Sequence, residues 1–490
     1  MAKKAIIVGA GIAGLASAIR LANNGFIVDV IDQNSFVGGK LHSFEKDNFR
    51  FDFGPSLFTM PHLVEELFTL CGKHASDYFK YSKIDTTCHY FWNDRTQINA
   101  YADPDAFGQE IEKKLHVNSS VLAKYLNYSY NIYKHTAPFF LQKSLHQWQT
   151  FKNNKLFGAF LNIFKFDLFT TMHKANKKRL KHPKLVQLFD RFATYNGSNP
   201  YSAPGILNVI PSLENNWGAF FPAEGMVGIT NALHVLAIEL GVVFHLNETA
   251  ESITYLDGKI TGVKTNKQSY SADVVISNAD MWFTYHRLLP NIKKPKKLLA
   301  QERSSSALVF YWGINGLFPQ LDLHNIFFSN DYEKEFDALF NKLTITEDPT
   351  IYINITSKYR KEDAPANCEN WFVMINVPRN NGQNWDELKK RARKSIIEKL
   401  NTLLSINLND LIVSETITDP IVIEEKTGSF AGSLYGTSSN NKLAAFLRQK
   451  NNGPLEGLYF CGGSVHPGGG IPLCLWSAQI ATDMIKEKYT

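Results

Sequence analysis

Cysteine is scarce in this 490-residue chain: Cys71, Cys88, Cys368, Cys461 and Cys474 form an odd, scattered set with no Cys-x-x-Cys pair. That pattern argues against a disulfide framework and a zinc ribbon, and it predicts a reducing cytoplasm. Long hydrophobic runs are missing too. No stretch reaches the roughly 18 apolar residues of a membrane span, and the most apolar tail, Leu458 to Ile485, is broken by glycines and prolines. The sequence has no repeat, low-complexity tract or Pro/Ser-rich linker, so domain limits must be read from where motifs stop and resume. No Ser/His/Asp or Cys/His signature and no metal-spaced histidine pair occurs, so neither an activated side-chain nucleophile nor a metal is expected. A net charge of +6 and a pI near 8.8 fall short of the strongly basic face that nucleic acids require.

Apolar and aromatic residues are plentiful. A hydrophobic content of 44% supplies cores for two or three domains of about 150 residues each. Aromatics make up 13%, with 35 Phe, which suits a large apolar ligand or a membrane face.

The N-terminus carries the sharpest signal. The strand-like run Ala5 to Val8 leads into Gly9-x-Gly11-x-x-Gly14 and a helix from Leu15 to Ala22. A pyrophosphate can sit on the unsatisfied N–H groups of such a helix, at the positive end of its dipole. Gly9 permits the tight turn, Gly11 lets backbone approach phosphate, and Gly14 lets helix pack on strand. A second strand, Val28 to Ile31, ends at Asp32, 18 residues past Gly14; a ribose-binding carboxylate is expected at about 20. Gly38-Gly39-Lys40 follows. Lys3 and Lys4 before an apolar run mimic a secretory signal. Three glycines, Arg20 and Asn23 to Gly25 interrupt that run and no cleavage site follows, so the N-terminus reads as retained.

Nucleotide-binding signals resume twice. Pro222-Ala223-Glu224-Gly225-Met226-Val227 introduces a helix from Ile229 to Leu240, then strands at 242–246, at 260–265 after a hairpin at Asp257-Gly258, and at 272–279. At the far end Leu458 to Phe460 is a strand entering Cys461-Gly462-Gly463-Ser464, and Gly468-Gly469-Gly470-Ile471-Pro472 opens a helix to Lys488. Pro472 suits a first helical turn, and the glycines admit a flat ligand. The nucleotide domain is therefore expected to be discontinuous: 1–72, 212–280 and 428–490. The insertion 73–211 leans helical, and 281–427 alternates strands (306–312, 350–355, 370–377) with a charged helix, Trp385 to Leu403, as a sheet platform for substrate. Within Lys134 to Phe192, phenylalanines interleave with lysines opposed only by Asp167 and Asp190. Such a stretch can lie flat among lipid headgroups, or serve as an ordinary amphipathic helix with solvated lysines.

These motifs, with Phe51-Asp52-Phe53-Gly54-Pro55-Ser56 and Gly462-Gly463-Ser464-Val465-His466-Pro467, together resemble the FAD-dependent carotenoid desaturases of the phytoene-desaturase type. Arg191 to Tyr201 and the Gly-Gly-Ser-Val-His-Pro form look most like the hydroxycarotenoid 3,4-desaturases. The resemblance implies an α/β fold, α+β overall: a discontinuous Rossmann-type FAD-binding domain, an inserted substrate domain with a mixed or antiparallel sheet, and a helical part that can face a membrane. It places the pyrophosphate on Gly11, Ile12, Ala13 and Gly14 with help from Gly39 and Lys40, the ribose on Asp32, and the adenine near Ala250. The flavin ring extends toward Gly54, Pro55, Ser56, Gly463, Gly470, Ile471 and Pro472, and Gly9, Gln33, Gly38, Asn278 and Ser464 are further expected cofactor-binding residues. Asp32 stands where the family usually has Glu, Lys40 where it has Arg, and Glu224 where Gly is frequent. A shorter carboxylate must come nearer the ribose, and Lys offers a point charge where Arg offers a fork.

The implied reaction removes two hydrogens from adjacent carbons. A hydride leaves to flavin N5, the cation spreads over the polyene, and the neighbouring proton then goes to a weak acceptor, so the cofactor carries the hard step. His466 is a candidate for a polar role near the ring, or else a structural turn residue. Tyr195 and Asn199 are candidates to meet a substrate hydroxyl, or pocket walls. Cys461 is either a covalent flavin link or a small buried strand residue. The implied partners are a hydrophobic carotenoid and the inner face of the cell membrane, held peripherally; the electron acceptor is not legible. The same scaffold admits phytoene desaturation, isomerisation, terminal oxidation, amine oxidation, or a lipid escort without catalysis.

Overall fold

A computed structural model of the chain describes residues 2–144, 166–441 and 447–489. Lys4–Val8 forms the centre of a five-stranded parallel sheet, ordered Leu458–Phe460, Val274–Ser277, Lys4–Val8, Ile27–Ile31, Val243–His245. Near-continuous apolar runs suit this position, because a parallel sheet is covered on both faces. Ala5, Ile7, Val30, Val274, Val275 and Ile276 are fully buried, and each large apolar side chain so buried stabilises the fold by about 1.5–3 kcal/mol. Strands from three separated stretches of chain thus make one sheet. Helix Ile12–Asn23, rich in small residues, packs between Val227–Glu239 and Ile471–Tyr489. The hairpin of Ala250–Leu256 with Lys259–Thr265 turns at Asp257 and Gly258, both at positive φ.

The second layer is a seven-stranded mixed sheet ordered Ile412–Thr418, Ser306–Asn315, Cys368–Val377, Ile351–Asn354, His324–Phe327, Thr86–Phe91, Gln97–Tyr101. Helix Trp385–Leu404 covers it with Trp385, Leu388, Ala392, Ile396, Ile397 and Leu400. The Asn384 side chain caps that helix by accepting from the Glu387 N–H. Two strands of the sheet come from the stretch 73–211, expected to be helical. Thr86 to Phe91 is rich in β-branched and aromatic residues, and cross-strand packing favours such residues in a sheet. The rest of that stretch holds the helices Pro104–Leu115, Ser119–Phe140, Met172–Leu180 and Pro183–Asp190. Among the described residues no helix is long and apolar enough to cross a membrane. The interleaved Phe151, Lys152, Lys155, Phe157, Phe160, Phe164 and Lys165 lie outside the described residues.

The two layers are joined by a buried ionic cluster. Arg50 reaches Asp52 at 2.8 Å and Asp363 at 3.2 Å, and Asn370 donates to the Arg50 carbonyl at 2.7 Å. The turn Pro222 to Met226 closes over it. Gly225 has φ +76°, and a Cβ there would lie 2.7 Å from the guanidinium. Glu224 contributes its backbone carbonyl to Arg50. Residues 222–226 therefore tie the layers together and do not border the cavity described next.

Candidate functional site

Between the layers lies a cavity of about 600 Å³, within the range of small-molecule sites. Its floor is made of glycine turns from opposite ends of the chain. Gly9, at φ +102°, donates to the Ile31 carbonyl at 2.8 Å, and Gly38, at φ +104°, donates to that of Ala10 at 2.8 Å. Gly11, Ile12, Ala13, Gly39, Lys40, Gly463, Ser464, Gly470, Ile471 and Pro472 line the same cavity. Gly14 does not line it. A Cβ there would sit 2.1 Å from the Gly9 carbonyl oxygen, so its task is close packing of helix on turn.

Asn278 fastens the two turns together. Its side-chain amide donates to the Gly9 carbonyl at 3.2 Å. A Cβ on Gly11 would lie 2.9 Å from the Asn278 amide nitrogen, and one on Gly462 would lie 2.5 Å from its oxygen.

Asp32 sits at one end, buried, accepting from the N–H groups of Ala10 at 2.7 Å and Asn34 at 2.8 Å. Burial pushes its pKa up against those bonds. Gln33, Glu248, Thr249 and Ala250 border the same end, where the Glu248 N–H donates to the Asp32 carbonyl. Gly54, Pro55 and Ser56 border the cavity further along. A Cβ on Gly54 would meet the Lys40 carbonyl at 2.1 Å.

Two cations stand over the glycines, Lys40 half-buried and Arg448 buried. Lys40 donates to the Leu434 carbonyl at 2.8 Å, and Arg448 donates to those of Tyr435, Thr437 and Gly463. Neither makes a carboxylate ion pair among the described residues. Burial lowers both pKa values, that of Arg448 to about 10, and raises that of nearby Cys474 to about 11. Cations held only by carbonyls favour an anion in the cavity. The first turn of helix Ile12–Asn23 has no side-chain cap, leaving its N–H groups to a ligand. A Cβ on Gly470 would project into open space. Uncapped helix, glycine cradle and the two cations together fit an elongated anionic dinucleotide.

The other end is polar in a different way. Arg191 donates to the hydroxyls of Tyr195 at 3.0 Å and Tyr90 at 2.7 Å, and the Tyr195 hydroxyl donates to Glu214 Oε2 at 2.8 Å. His324, Tyr352 and Ser56 form a chain with two 2.7 Å contacts. Arg191, Tyr195, Glu214, His324, Tyr352 and Ser56 all line the cavity. Between the ends the walls are apolar: Leu207, Val209, Ile210 and Leu213 on one side, Val309, Ile326, Phe372 and Met374 on another.

Three of the residues singled out from the sequence sit elsewhere. His466 does not line the cavity. Its Nε2–H donates to the Lys143 carbonyl at 2.9 Å, and its own carbonyl accepts from Ser477 at 2.8 Å, so it secures the turn from behind. Asn199 holds a turn, its side chain accepting from the Tyr201 N–H at 2.9 Å. Cys461 is fully buried under the sheet with its pKa raised to about 12 by burial, and it does not border the cavity. Tyr195 alone of the proposed substrate-contacting residues reaches the cavity. Sequence reasoning missed Glu214, His324, Tyr352 and Arg448. No local signal marked them: Glu214 lies between Ser212 and Asn215-Asn216, and His324 between Asp322 and Asn325.

Comparison with known proteins places this geometry. The model of the flavin-containing amine oxidoreductases matches residues 12–311. The chain is 50% identical, over 99% of its length and 99% of the relative's, to a 1-hydroxycarotenoid 3,4-desaturase of a Flavobacterium species. It is 34% identical, over 99% of its length and 98% of the relative's, to a 4,4'-diapolycopene oxygenase of Methylomonas. A putrescine oxidase variant redesigned in its cofactor binding shares the fold, with a TM-score of 0.66 at 12% identity over the whole of both chains. The chain belongs to the flavin-containing amine oxidoreductase family and is an oxidoreductase with FAD as its cofactor.

Proposed function

We propose that this protein introduces the C3–C4 double bond into an acyclic carotenoid end that carries a 1-hydroxyl. Full-length similarity to a 1-hydroxycarotenoid 3,4-desaturase carries the reading. A cavity with glycine turns and cations at its base and apolar walls above agrees with it. Bound FAD supplies the hydride acceptor that a CH–CH oxidation needs. The chain's own residues hold and shield. The N–H groups of Ile12 and Ala13, with Gly39 and Lys40, receive the pyrophosphate, and Asp32 receives the ribose. Gly463, Ser464, Gly470, Ile471 and Pro472 border the flavin. Leu207, Val209, Ile210 and Leu213 keep water from the substrate, so positive charge developing on the polyene is not quenched. The FAD domain comprises 1–72, 212–280 and 428–490, with 73–211 and 281–427 inserted.

The protein works as a peripheral protein on the cytoplasmic face of the membrane that dissolves its substrate. The exposed Lys174, Lys177 and Lys178 lie on helix Met172–Leu180. Arg179 takes no part: it stacks 3.7 Å from the Tyr128 ring centroid and pairs with Asp167 at 2.6 Å.

The test is chromatographic. The FAD-loaded protein is incubated with an acyclic 1-hydroxycarotenoid, and a product two hydrogens lighter, with one more conjugated double bond, is expected. Oxygen insertion at a terminal methyl, or peroxide released with an amine, would replace this reading.

A further inference from the structure

The polar end of the cavity lies against otherwise apolar walls, and its hydrogen bonding is incomplete. Glu214 is 4% exposed. Its Oε2 accepts from Tyr195, and its Oε1 accepts from no described residue. His324, also 4% exposed, has a buried Nε2 without a partner, as has Arg191 at Nε. The His324 proton can be assigned from its neighbours. Asn354 donates one amide hydrogen to the Leu323 carbonyl at 2.9 Å and the other to His324 Nδ1 at 3.2 Å. Nδ1 is therefore the acceptor and Nε2 carries the hydrogen. Burial lowers the ring's pKa to about 3, which keeps it neutral at physiological pH. Glu214 thus lines the cavity with one carboxylate oxygen that no described donor satisfies, and Arg191, electrostatically coupled to both Glu214 and His324, and His324 itself each keep a buried nitrogen without a complement; polar groups left this way cost free energy unless a ligand satisfies them.

A hydroxyl satisfies such a set, since it donates once and accepts through its lone pairs. Resting on the function proposed above, we infer that Glu214, held by Tyr195, which Arg191 holds in turn, is the receptor for the substrate's 1-hydroxyl and sets the preference for hydroxylated ends. The hydroxyl hydrogen goes to Glu214 Oε1. Position agrees with this role. Only C2 separates the hydroxyl-bearing C1 from C3, so its receptor must adjoin the reacting bond. Tyr352 links His324 to Ser56, in the segment expected beside the flavin. Leu213, next to Glu214, belongs to the apolar wall, and the polyene runs away along it.

The experiment compares an acyclic carotene bearing a tertiary 1-hydroxyl with the same carotene lacking it. The unsubstituted protein is expected to give C3–C4 desaturation and a higher kcat/KM for the hydroxylated substrate. In Glu214→Gln the ratio of the two kcat/KM values should fall roughly 10- to 100-fold, the effect of weakening a charge-assisted hydrogen bond. FAD content, read from flavin absorbance, should stay stoichiometric. Tyr195→Phe, which keeps the ring, should lower the ratio less, and it stands in if the first variant does not fold. An unchanged ratio in a flavin-loaded variant would overturn the inference while leaving the desaturase reading intact. If the unsubstituted protein forms no C3–C4 product, the desaturase reading itself fails.

Discussion

Single side chains here act mainly by what they exclude. Gly14→Ala would push a methyl group against the Gly9 carbonyl at 2.1 Å, so the turn must move. We expect this variant to purify with little or no flavin, measured as the ratio of flavin to protein absorbance, because the shifted N–H groups no longer match the phosphates. His324 makes a pH prediction with a definite sign. Its folded pKa, about 3, lies below the unfolded 6.5, so between these values the unfolded chain binds more protons. Its contribution is complete above pH 6.5 and is lost as pH falls toward 3, on the order of a few kcal/mol. Denaturation midpoints followed from pH 7 to pH 4 should therefore fall less steeply in His324→Leu than in the parent. The glycine turns were legible because backbone geometry and residue identity are locally coupled. His324 and Glu214 were not, because only the cross-layer fold tells a polar residue in a mixed segment which wall it joins. His466 misled for the same reason: adjacency in sequence to a cofactor turn does not fix the side on which a ring lies.

At the level of elements, the chain distributes tasks between a sheet that binds and a sheet that walls. The parallel sheet was readable because its strands are largely apolar and three of them, Lys4–Val8, Ile27–Ile31 and Leu458–Phe460, run into a glycine turn or an acid. The strands Thr86–Phe91 and Gln97–Tyr101 were missed although they pair with each other, because that hairpin joins its sheet only where Thr86–Phe91 meets His324–Phe327, more than two hundred residues away, and no local pattern announces such a partner. Joining the two layers, the Arg50 cluster is the element-scale feature most sensitive to a single change. Asp363→Asn would leave Arg50 and Arg360 short of a buried carboxylate. Removing one partner of a buried pair costs about 3–5 kcal/mol. A correspondingly lower midpoint in urea, with FAD present throughout, is the expected outcome. Arg50→Lys should cost less, since it keeps the charge and loses only the fork.

For the molecule as a whole, the question is how a water-excluding cavity meets a substrate dissolved in lipid. Lys174, Lys177 and Lys178 lie together on one short helix whose buried side is Met172, Ala175 and Leu180. Each such lysine is worth about 1 kcal/mol near an anionic surface. Lys174→Glu, Lys177→Glu and Lys178→Glu combined should weaken flotation with phosphatidylserine vesicles by at least about 100-fold at low salt, and leave flavin content unchanged. Equal flotation of the variant and the parent would remove this helix from the docking face.

One consequence follows from the order of strands. Leu458–Phe460 and helix Ile471–Tyr489 finish a sheet whose other members come from the first 277 residues. During translation the edge of Val274–Ser277 therefore waits unpaired while five of the seven strands of the second layer are being made. Flavin capture must come after that last strand leaves the ribosome, and until then the open edge is where a chaperone would hold the nascent chain or where two such chains would stick together.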